Sequence, residues 1–188
     1  IAYWTSQTDP QKPWLLLIHG FPTSSWDWSA LWPSLETHFN LVAMDMLGFG
    51  LTDKPDHVAY SIFDQADLQT TLLKNLGVEN VHILAHDYGD TVAQELLARH
   101  NDDTLGIPIN SVCFLNGGLF PEQHRPLPIQ NLGVSPFGFV LGWMMSRETL
   151  RKSFDKIFGA DTKVPPKYPQ PTPKLPPNHT QRIPTLPP

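Results

Sequence analysis

Four short runs of apolar residues stand out in the first 164 residues of the chain. The runs are Trp14–Ile18, Asn40–Asp45, Val81–Ala85 and Ile109–Leu115. A segment that is apolar at consecutive positions suits a strand buried on both faces, as the strands of a parallel sheet are. We therefore predict four strands of such a sheet.

The segments between these runs are long enough for helices, and three of them carry helical signals. Ser24–His38 begins with residues that can cap a helix. Ser61–Leu76 has apolar residues at helical spacing and is followed by Gly77, and Tyr88–His100 also has apolar residues at helical spacing. Strands that alternate with helices predict an α/β fold, in which helices flank a mostly parallel sheet.

Proline separates the last part of the chain from the rest. Ten of the 20 prolines lie between Pro165 and Pro188. Because proline lacks a backbone N–H group and has a fixed φ, such a run cannot form a regular helix or a central strand. We predict that residues 164–188 form an irregular, disordered Pro-rich tail. A linker is favoured over a ligand for SH3 or WW domains.

Charge and cysteine content exclude several classes of protein. The 188 residues include 13 basic and 18 acidic side chains, and a net charge of −5 argues against a nucleic-acid-binding protein. Cys113 is the single cysteine, so no intramolecular disulfide can form. The apolar stretch from Phe137 to Met145 is shorter than the roughly 20 residues of a spanning helix. A helix over a pocket is favoured there over membrane association, and the cytoplasm is the favoured compartment.

The segment Ala85-His86-Asp87-Tyr88-Gly89 follows one predicted strand and opens a predicted helix. A nucleophile elbow has this arrangement, and the residues two before and two after its nucleophile must be small, as Ala85 and Gly89 are. Asp87 stands at the centre, and a carboxylate can attack carbon to form an ester intermediate. The alternative is that Asp87 only caps the helix.

A second candidate lies after the first apolar run, in the segment His19-Gly20-Phe21-Pro22. Gly20 allows the backbone to turn there, so the Phe21 N–H group can point towards a substrate oxygen. The Tyr88 N–H group would be the second donor of an oxyanion hole. The alternative is a tight turn without a catalytic role.

A third segment, Asp45–Pro55, contains two glycines in the sequence DMLGFGLTDKP. Position 53 would carry the third glycine of a dinucleotide-binding loop but is Asp53, which argues against nucleotide binding. The order HGFP, DMLGFGLTDKP, AHDYGD resembles the α/β-hydrolase superfamily, in its branch of epoxide hydrolases and haloalkane dehalogenases. The runs HDYGDTVAQELLARH and CFLNGGLFPEQHRP resemble the mesoderm-specific transcript-like proteins, and the likeness covers about residues 12–163.

The resemblance implies a division of the chain and a reaction. Residues 1–118 would be the N-terminal part of an α/β-hydrolase core, and residues 119–163 would begin a helical cap before the tail. Asp87 would be the nucleophile of an epoxide hydrolase-like reaction on a small apolar substrate, with Phe21 and Tyr88 as oxyanion donors. The Phe21–Pro22 peptide could be cis, as in epoxide hydrolases. No cofactor and no metal ion are expected.

The chain also departs from the family's pattern. The resemblance implies a late histidine as the catalytic base, and we expect this sequence to lack the C-terminal part of the fold that would carry it. His179 lies in the Pro-rich tail and is not assigned as the base, and Asn116 also receives no role. Phe21 and Tyr88 occupy the positions where haloalkane dehalogenases pair an Asn and a Trp. The alternative function is therefore a truncated or degenerate non-catalytic relative that acts as a binding protein. The oligomeric state stays open.

Overall fold

The computed structural model describes residues 1–7, 9–56, 58–118, 148, 152 and 180–182. The chain divides into two compact units, one of Ile1–Pro121 with Lys174–Pro188 and one of Glu122–Pro173. Of the second unit, the structure describes only Glu148 and Lys152, whose Oε1 and Nζ atoms form an ion pair at 2.9 Å. The candidate chemistry lies in the first unit.

A six-stranded sheet forms the centre of the first unit, in the order β5-β4-β2-β3-β1-β6. The parallel pairs are β2 with β3, β2 with β4, and β4 with β5. The predicted α/β fold with a mostly parallel sheet is therefore confirmed. The strands are β1 (Ala2–Ser6), β2 (Trp14–Ile18), β3 (Asn40–Met44), β4 (Val81–His86), β5 (Ile109–Leu115) and β6 (Thr180–Arg182).

The four strands predicted from the apolar runs are β2 to β5, and their observed ends differ from the prediction by at most one residue. In the central strand β2, successive side chains point to opposite faces of the sheet. Leu16 and Ile18 belong to the larger apolar cluster, whereas Leu15 and Leu17 belong to the smaller one. Burial on both faces explains why the run is apolar at every position.

The two longer helices are also confirmed. Helix α2 (Ile62–Asn75) begins after Ser61, whose hydroxyl oxygen accepts the Asp64 N–H at 3.0 Å, and Gly77 follows it with φ +69°. Helix α3 (Tyr88–Asn101) follows β4 after a single residue. Val92, Ala93 and Leu96 of α3 lie in the larger apolar cluster.

The single helix predicted over Ser24–His38 is wrong. This segment forms a 3₁₀ helix, η1 (Ser25–Ala30), and then the one-turn helix α1 (Trp32–Leu35). Pro33 explains the break, because its ring would clash with the carbonyl group four residues earlier in a continuous helix and it has no N–H group to donate.

Two antiparallel strands at one side of the sheet were not predicted. The pairing of β1 with β3 places Tyr3 opposite Met44, and β6 pairs with the other edge of β1. Thr180–Arg182 thus form a strand inside the segment predicted to be an irregular tail. These three residues contain no proline, so they keep the N–H groups that strand pairing requires. The rest of that segment and the boundaries at 118 and 163 stay predictions.

Within the ranges described above, no helix combines the length and the apolar character that crossing a bilayer requires. The stretch Phe137–Met145 lies outside the described residues. Its proposed role as a cap helix, and the alternative of membrane association, therefore stay predictions.

Replacement of Leu16 by alanine tests the central position of β2. The Leu16 side chain is fully buried, so its removal should lower the free energy of unfolding by about 2–5 kcal/mol through lost contacts and a residual cavity. Urea denaturation measures this loss. Leu31→Ala is the matched control, because that side chain is 47% exposed and its loss should change stability by only about 0.5 kcal/mol. Equal losses in the two variants would contradict this packing.

Candidate active site

The turn between β4 and α3 consists of Asp87 alone. Its φ is 55° and its ψ is −117°, a conformation that non-glycine residues rarely adopt. The Asp87 N–H group donates to the Leu115 carbonyl oxygen at 3.0 Å, which ties the turn to the end of β5. Strained backbone of this kind persists only where the surroundings hold it, and it is enriched at functional sites.

The Asp87 side chain does not cap α3, although the residue stands at the N-cap position. Its Oδ1 atom instead accepts the Phe21 N–H group at 2.8 Å. The alternative of a simple helix cap is therefore excluded for this side chain. Two of the predicted site residues are in direct contact, and the Phe21–Pro22 peptide is cis, as the resemblance suggested.

Tyr88, the third predicted site residue, is the first residue of α3. Its N–H group has no acceptor within the helix, because the first N–H groups of a helix lack a carbonyl one turn earlier. Asp87, Phe21 and Tyr88 thus lie together at the carboxyl ends of β2 and β4. From these neighbouring strands the chain continues to opposite sides of the sheet, to β3 and to β5, and α/β folds bind ligands at such a switch point.

Two glycines allow the backbone segments to meet there. A Cβ atom on Gly20 would lie 2.6 Å from the Asp87 Cβ atom. A Cβ atom on Gly89 would lie 2.6 Å from the carbonyl oxygens of both Ile18 and His19. Both distances are far below van der Waals contact, so the elbow requires glycine at each position. The predicted need for a small residue at Gly89 has this physical cause.

His19 is fully buried and holds two loops in place. Its Nε2 atom accepts the Met46 N–H at 3.0 Å, and its Nδ1 atom lies 2.9 Å from the Gly20 carbonyl oxygen. These contacts require the neutral tautomer with its hydrogen on Nδ1. Burial lowers the pKa of the imidazole, which also favours the neutral form. Both ring nitrogens are engaged, so this histidine is not available as a general base.

The loop Gly48-Phe49-Gly50 wraps around the buried carboxylate of Asp45. This carboxylate accepts the Ser25 N–H at 2.9 Å, the Ser25 hydroxyl at 2.6 Å and the Leu51 N–H at 2.8 Å. A Cβ atom on Gly50 would lie 2.0 Å from Asp45 Oδ2, and its φ is +49°. The glycines therefore let the loop close over a carboxylate of the protein itself, consistent with the argument against a dinucleotide.

Aromatic rings line the site beside Asp87. The Phe49 ring lies 6.2 Å from the Phe21 ring and 5.9 Å from the Tyr88 ring, measured between centroids. It also makes an edge contact with His19 at 5.3 Å. Phe21 is 64% exposed, so the carboxylate borders an apolar surface that is open to a ligand. Burial raises the pKa of the Tyr88 hydroxyl, which therefore stays neutral at physiological pH.

Asp90, one turn into α3, is a second carboxyl group close to the elbow. It is fully buried, and its Oδ1 atom accepts the Leu115 N–H at 3.4 Å. A Cβ atom on Gly117 would lie 2.0 Å from Asp90 Oδ2, so the chain leaving β5 passes directly against this carboxyl. Burial raises the pKa of Asp90, and the N–H groups of Leu115 and Gly117 oppose that increase.

Residues 13–144 match a family model described as alpha/beta hydrolase fold. The chain belongs to this family. The match extends over more than half of the hydrolase-fold chain and includes the segments that carry Phe21, Asp87 and Tyr88.

Curated relatives agree with this assignment. The hydrolase-fold chain is 45% identical over 158 residues to the mesoderm-specific transcript protein of Mus musculus, covering 79% of this chain and 46% of that protein. It is 34% identical over 154 residues to a fluoroacetate dehalogenase of Burkholderia sp, covering 70% and 51% of the two chains. The chain thus spans about half the length of the curated relatives it matches.

Solved structures show the same fold. An alpha/beta hydrolase fold protein from Burkholderia ambifaria superposes with a TM-score of 0.56 at 26% identity, covering 79% of this chain and 58% of that one. The epoxide hydrolase CorEH superposes with a TM-score of 0.63 at 24% identity, covering 80% and 54%. The predicted resemblance to the α/β-hydrolase superfamily is therefore confirmed.

Among the described residues, no cluster of three or more His, Cys, Asp or Glu side chains could hold a metal ion. His82 lies on β4 with its Nδ1 atom 2.8 Å from the Ser111 hydroxyl, and Asn116 follows β5 with φ 54°. His179 lies outside the described residues.

Sequence reasoning missed Thr23, in the loop that carries Phe21, and Asp27, in η1. The Thr23 N–H and hydroxyl groups both lie 3.3 Å from the Gly20 carbonyl oxygen, and the hydroxyl also bonds the Asp27 carboxyl. A threonine three residues after a glycine at a strand end is a signal of such a turn. Asp27 is only four residues after Thr23, so the spacing of this pair is a local signal as well.

Replacement of Asp90 by asparagine tests the raised pKa of this carboxyl. Between its unfolded and folded pKa values, the folded protein binds more protons than the unfolded chain. Stability from this group is therefore present at low pH and lost as pH rises through the folded pKa. Asparagine does not ionise, so the variant should lose less stability than the wild type between about pH 4 and about pH 8.

Urea denaturation across this pH range measures the difference. Asp102→Asn is the control, because that side chain is exposed after the end of α3 and its variant should follow the wild type. The test uses the way in which the difference in unfolding free energy between the wild type and Asp90→Asn changes with pH. This change does not depend on how stable the variant is at any one pH. Parallel profiles for the wild type and Asp90→Asn would contradict the raised pKa.

Proposed function

We propose that the chain is the nucleophile-bearing part of a hydrolase that acts through a covalent aspartyl ester, as an epoxide hydrolase does. The observation that carries the proposal is the hydrogen bond between Phe21 N–H and Asp87 Oδ1. This bond engages one oxygen of the Asp87 carboxylate, which the strained turn after β4 holds at the carboxyl end of that strand. The other oxygen, Oδ2, is the candidate attacking atom.

In the first step, Asp87 Oδ2 attacks an epoxide carbon. A new carbon–oxygen bond forms, the ring carbon–oxygen bond breaks, and the ring oxygen keeps its electron pair and takes a proton from water. Asp87 Oδ1 becomes the carbonyl oxygen of the ester and keeps its hydrogen bond to Phe21 N–H. The position of Asp87 before the first turn of α3 places the partial positive charge of the helix N-terminus beside the attacking carboxylate.

In the second step, water attacks the ester carbonyl carbon. Negative charge then develops on Oδ1, where the Phe21 N–H group already lies at hydrogen-bonding distance, and Tyr88 N–H is the proposed second donor. Loss of one such donor typically lowers kcat by about 10²–10³. The alcohol leaves with the former Oδ2 atom, the carboxylate regains an oxygen from water, and the proton that is released neutralises the hydroxide ion left by the first step. The general base for this step has no candidate among the residues assigned above.

The surroundings of Asp87 support a small apolar substrate. Phe21, whose N–H group contacts Asp87, has an exposed ring that lies in an aromatic cluster with Phe49 and Tyr88. A relative that is 34% identical is named a fluoroacetate dehalogenase, which supports a small substrate for this chain. Because Phe21 and Tyr88 replace the Asn and Trp that haloalkane dehalogenases use to hold halide, an epoxide is favoured over a haloalkane.

A non-catalytic binding protein is the second candidate. It is favoured by the engagement of both His19 ring nitrogens in structural contacts, which leaves Asp87 without an assigned base in the described residues. Such a protein would keep the site as a small-molecule pocket without completing turnover.

Incubation with styrene oxide in oxygen-18 water tests the nucleophile. Turnover should place oxygen-18 in the peptide that contains Asp87, and if ester hydrolysis is slow the same peptide should instead carry the alkyl adduct. Mass spectrometry after proteolysis distinguishes these two forms. Asp87→Asn should lose both signals, whereas Asp102→Asn, with its exposed side chain, should keep them.

Product formation without a label on Asp87 would overturn the ester mechanism. Saturable binding of styrene oxide with neither adduct nor product would favour the binding protein. An adduct that survives in Asp87→Asn would assign the reaction to a different residue and would equally overturn the proposal.

A further inference from the structure

The Gly20 carbonyl and the Phe21 N–H group belong to the same peptide unit. Because this unit is planar, the direction of its C=O bond determines the direction of its N–H bond. Contacts made by the Gly20 carbonyl oxygen therefore decide where the Phe21 N–H points. That N–H donates to Asp87 Oδ1 at 2.8 Å.

Three potential donors surround the Gly20 carbonyl oxygen. They are His19 Nδ1 at 2.9 Å, the Thr23 N–H group at 3.3 Å and the Thr23 hydroxyl at 3.3 Å. Each bond that the carbonyl accepts also polarises the peptide and makes its N–H a stronger donor. The contacts within the turn from Gly20 to Thr23 therefore hold the Phe21 N–H group in its direction towards Asp87.

The Thr23 hydroxyl has a competing partner in Asp27. The two side chains form a short hydrogen bond between Thr23 Oγ1 and Asp27 Oδ2. A hydroxyl carries a single hydrogen, so Thr23 cannot fully donate to Asp27 and to the Gly20 carbonyl at once. An ionised Asp27 takes this hydrogen, whereas a protonated Asp27 donates to Thr23 Oγ1 and leaves the hydroxyl hydrogen for Gly20.

We propose that Thr23 and Asp27 are positioning residues, which direct the Phe21 N–H group towards Asp87 through the Gly20–Phe21 peptide. The role in catalysis rests on the proposed function of Asp87, whereas the effect on the peptide does not. Neither residue needs to touch a substrate. Protonation of Asp27 adds a third donor to the Gly20 carbonyl, and its ionisation removes that donor.

The charged and titratable groups that face Asp27 lie at the ends of two strands of the sheet. Asp45 follows β3, and His86 and Asp87 lie at the end of β4. Burial raises the pKa of Asp27, the bond from Thr23 and the His86 ring lower it, and Asp45 and Asp87 add to the increase. The protonated form therefore extends to higher pH than for an exposed aspartate.

The amide resonance of Phe21 reports this switch without any catalysis. Selective labelling of phenylalanine with nitrogen-15 makes the resonance visible, and Phe21→Leu identifies it by its loss. In the wild type, a pH titration should move the Phe21 amide proton in a step that follows ionisation of Asp27.

The variants identify the group that causes this step. Asp27→Asn should remove it and Thr23→Val should reduce it several-fold, whereas a step that persists in Asp27→Asn belongs to another group. Thr23→Ser retains the hydroxyl and should restore the wild-type profile. Thr37→Val is the matched control, since that hydroxyl donates to the Ser34 carbonyl on an exposed turn.

Catalytic measurements with styrene oxide complete the test. Thr23→Val should lower kcat about tenfold with little change in KM, less than the 10²–10³-fold effect of losing an oxyanion donor. Thr23→Ser should recover most of this loss. The proposal would be overturned if the pH-dependent movement of the Phe21 amide proton were unchanged in both Thr23→Val and Asp27→Asn. Equal losses of kcat in Thr23→Val and Thr23→Ser would also overturn it.

The two proposals can fail separately. A missing label on Asp87 together with an Asp27-linked amide step would reject the nucleophile but keep the link between Asp27 and the Phe21 peptide. A labelled Asp87 without that step would reject the link alone. If the valine variant does not fold, the wild-type and Thr23→Ser titrations decide, because absence of the step in both contradicts the proposal.

Discussion

Close approach between the end of β2 and the turn at Asp87 is the constraint on which the site depends. A carboxylate can receive the Phe21 N–H group only because Gly20 and Gly89 leave no side chain between the two backbone segments. The strained φ of Asp87 is maintained by this packing and by the bond of its own N–H group to Leu115. The packing that keeps the Asp87 backbone in its strained conformation is therefore the same packing that positions its carboxylate at the carboxyl ends of β2 and β4.

Buried polar side chains hold each loop around the site. Asp45 holds the glycine loop, His19 joins that loop to the Gly20 carbonyl, and Asp90 faces the chain that leaves β5. Buried polar groups are costly unless they are hydrogen-bonded, and their partners here are mainly backbone N–H and C=O groups of the loops. The loops are thus specified by hydrogen bonds rather than by apolar packing alone.

The described residues bring together the Asp87 carboxylate, the Phe21 N–H group that donates to it, and a cluster of aromatic rings. The chain belongs to the α/β-hydrolase family, and the proposed reaction uses this combination for nucleophilic attack followed by charge development on the same carboxylate. The proposed positioning role of Thr23 and Asp27, which hydrogen-bond each other, extends the site by one layer, because it concerns the donor and not the substrate.

Local patterns in the sequence were sufficient for β2 to β5, for α2 and α3 and for the elbow at Asp87, because burial and periodicity are written into consecutive residues. Tertiary structure alone decided the antiparallel strands β1 and β6, whose partners are distant in the chain. It also decided the contact between Asp87 Oδ1 and the Phe21 N–H group, since these residues are 66 positions apart and follow different strands. Such a contact depends on long-range packing, which no short sequence pattern encodes.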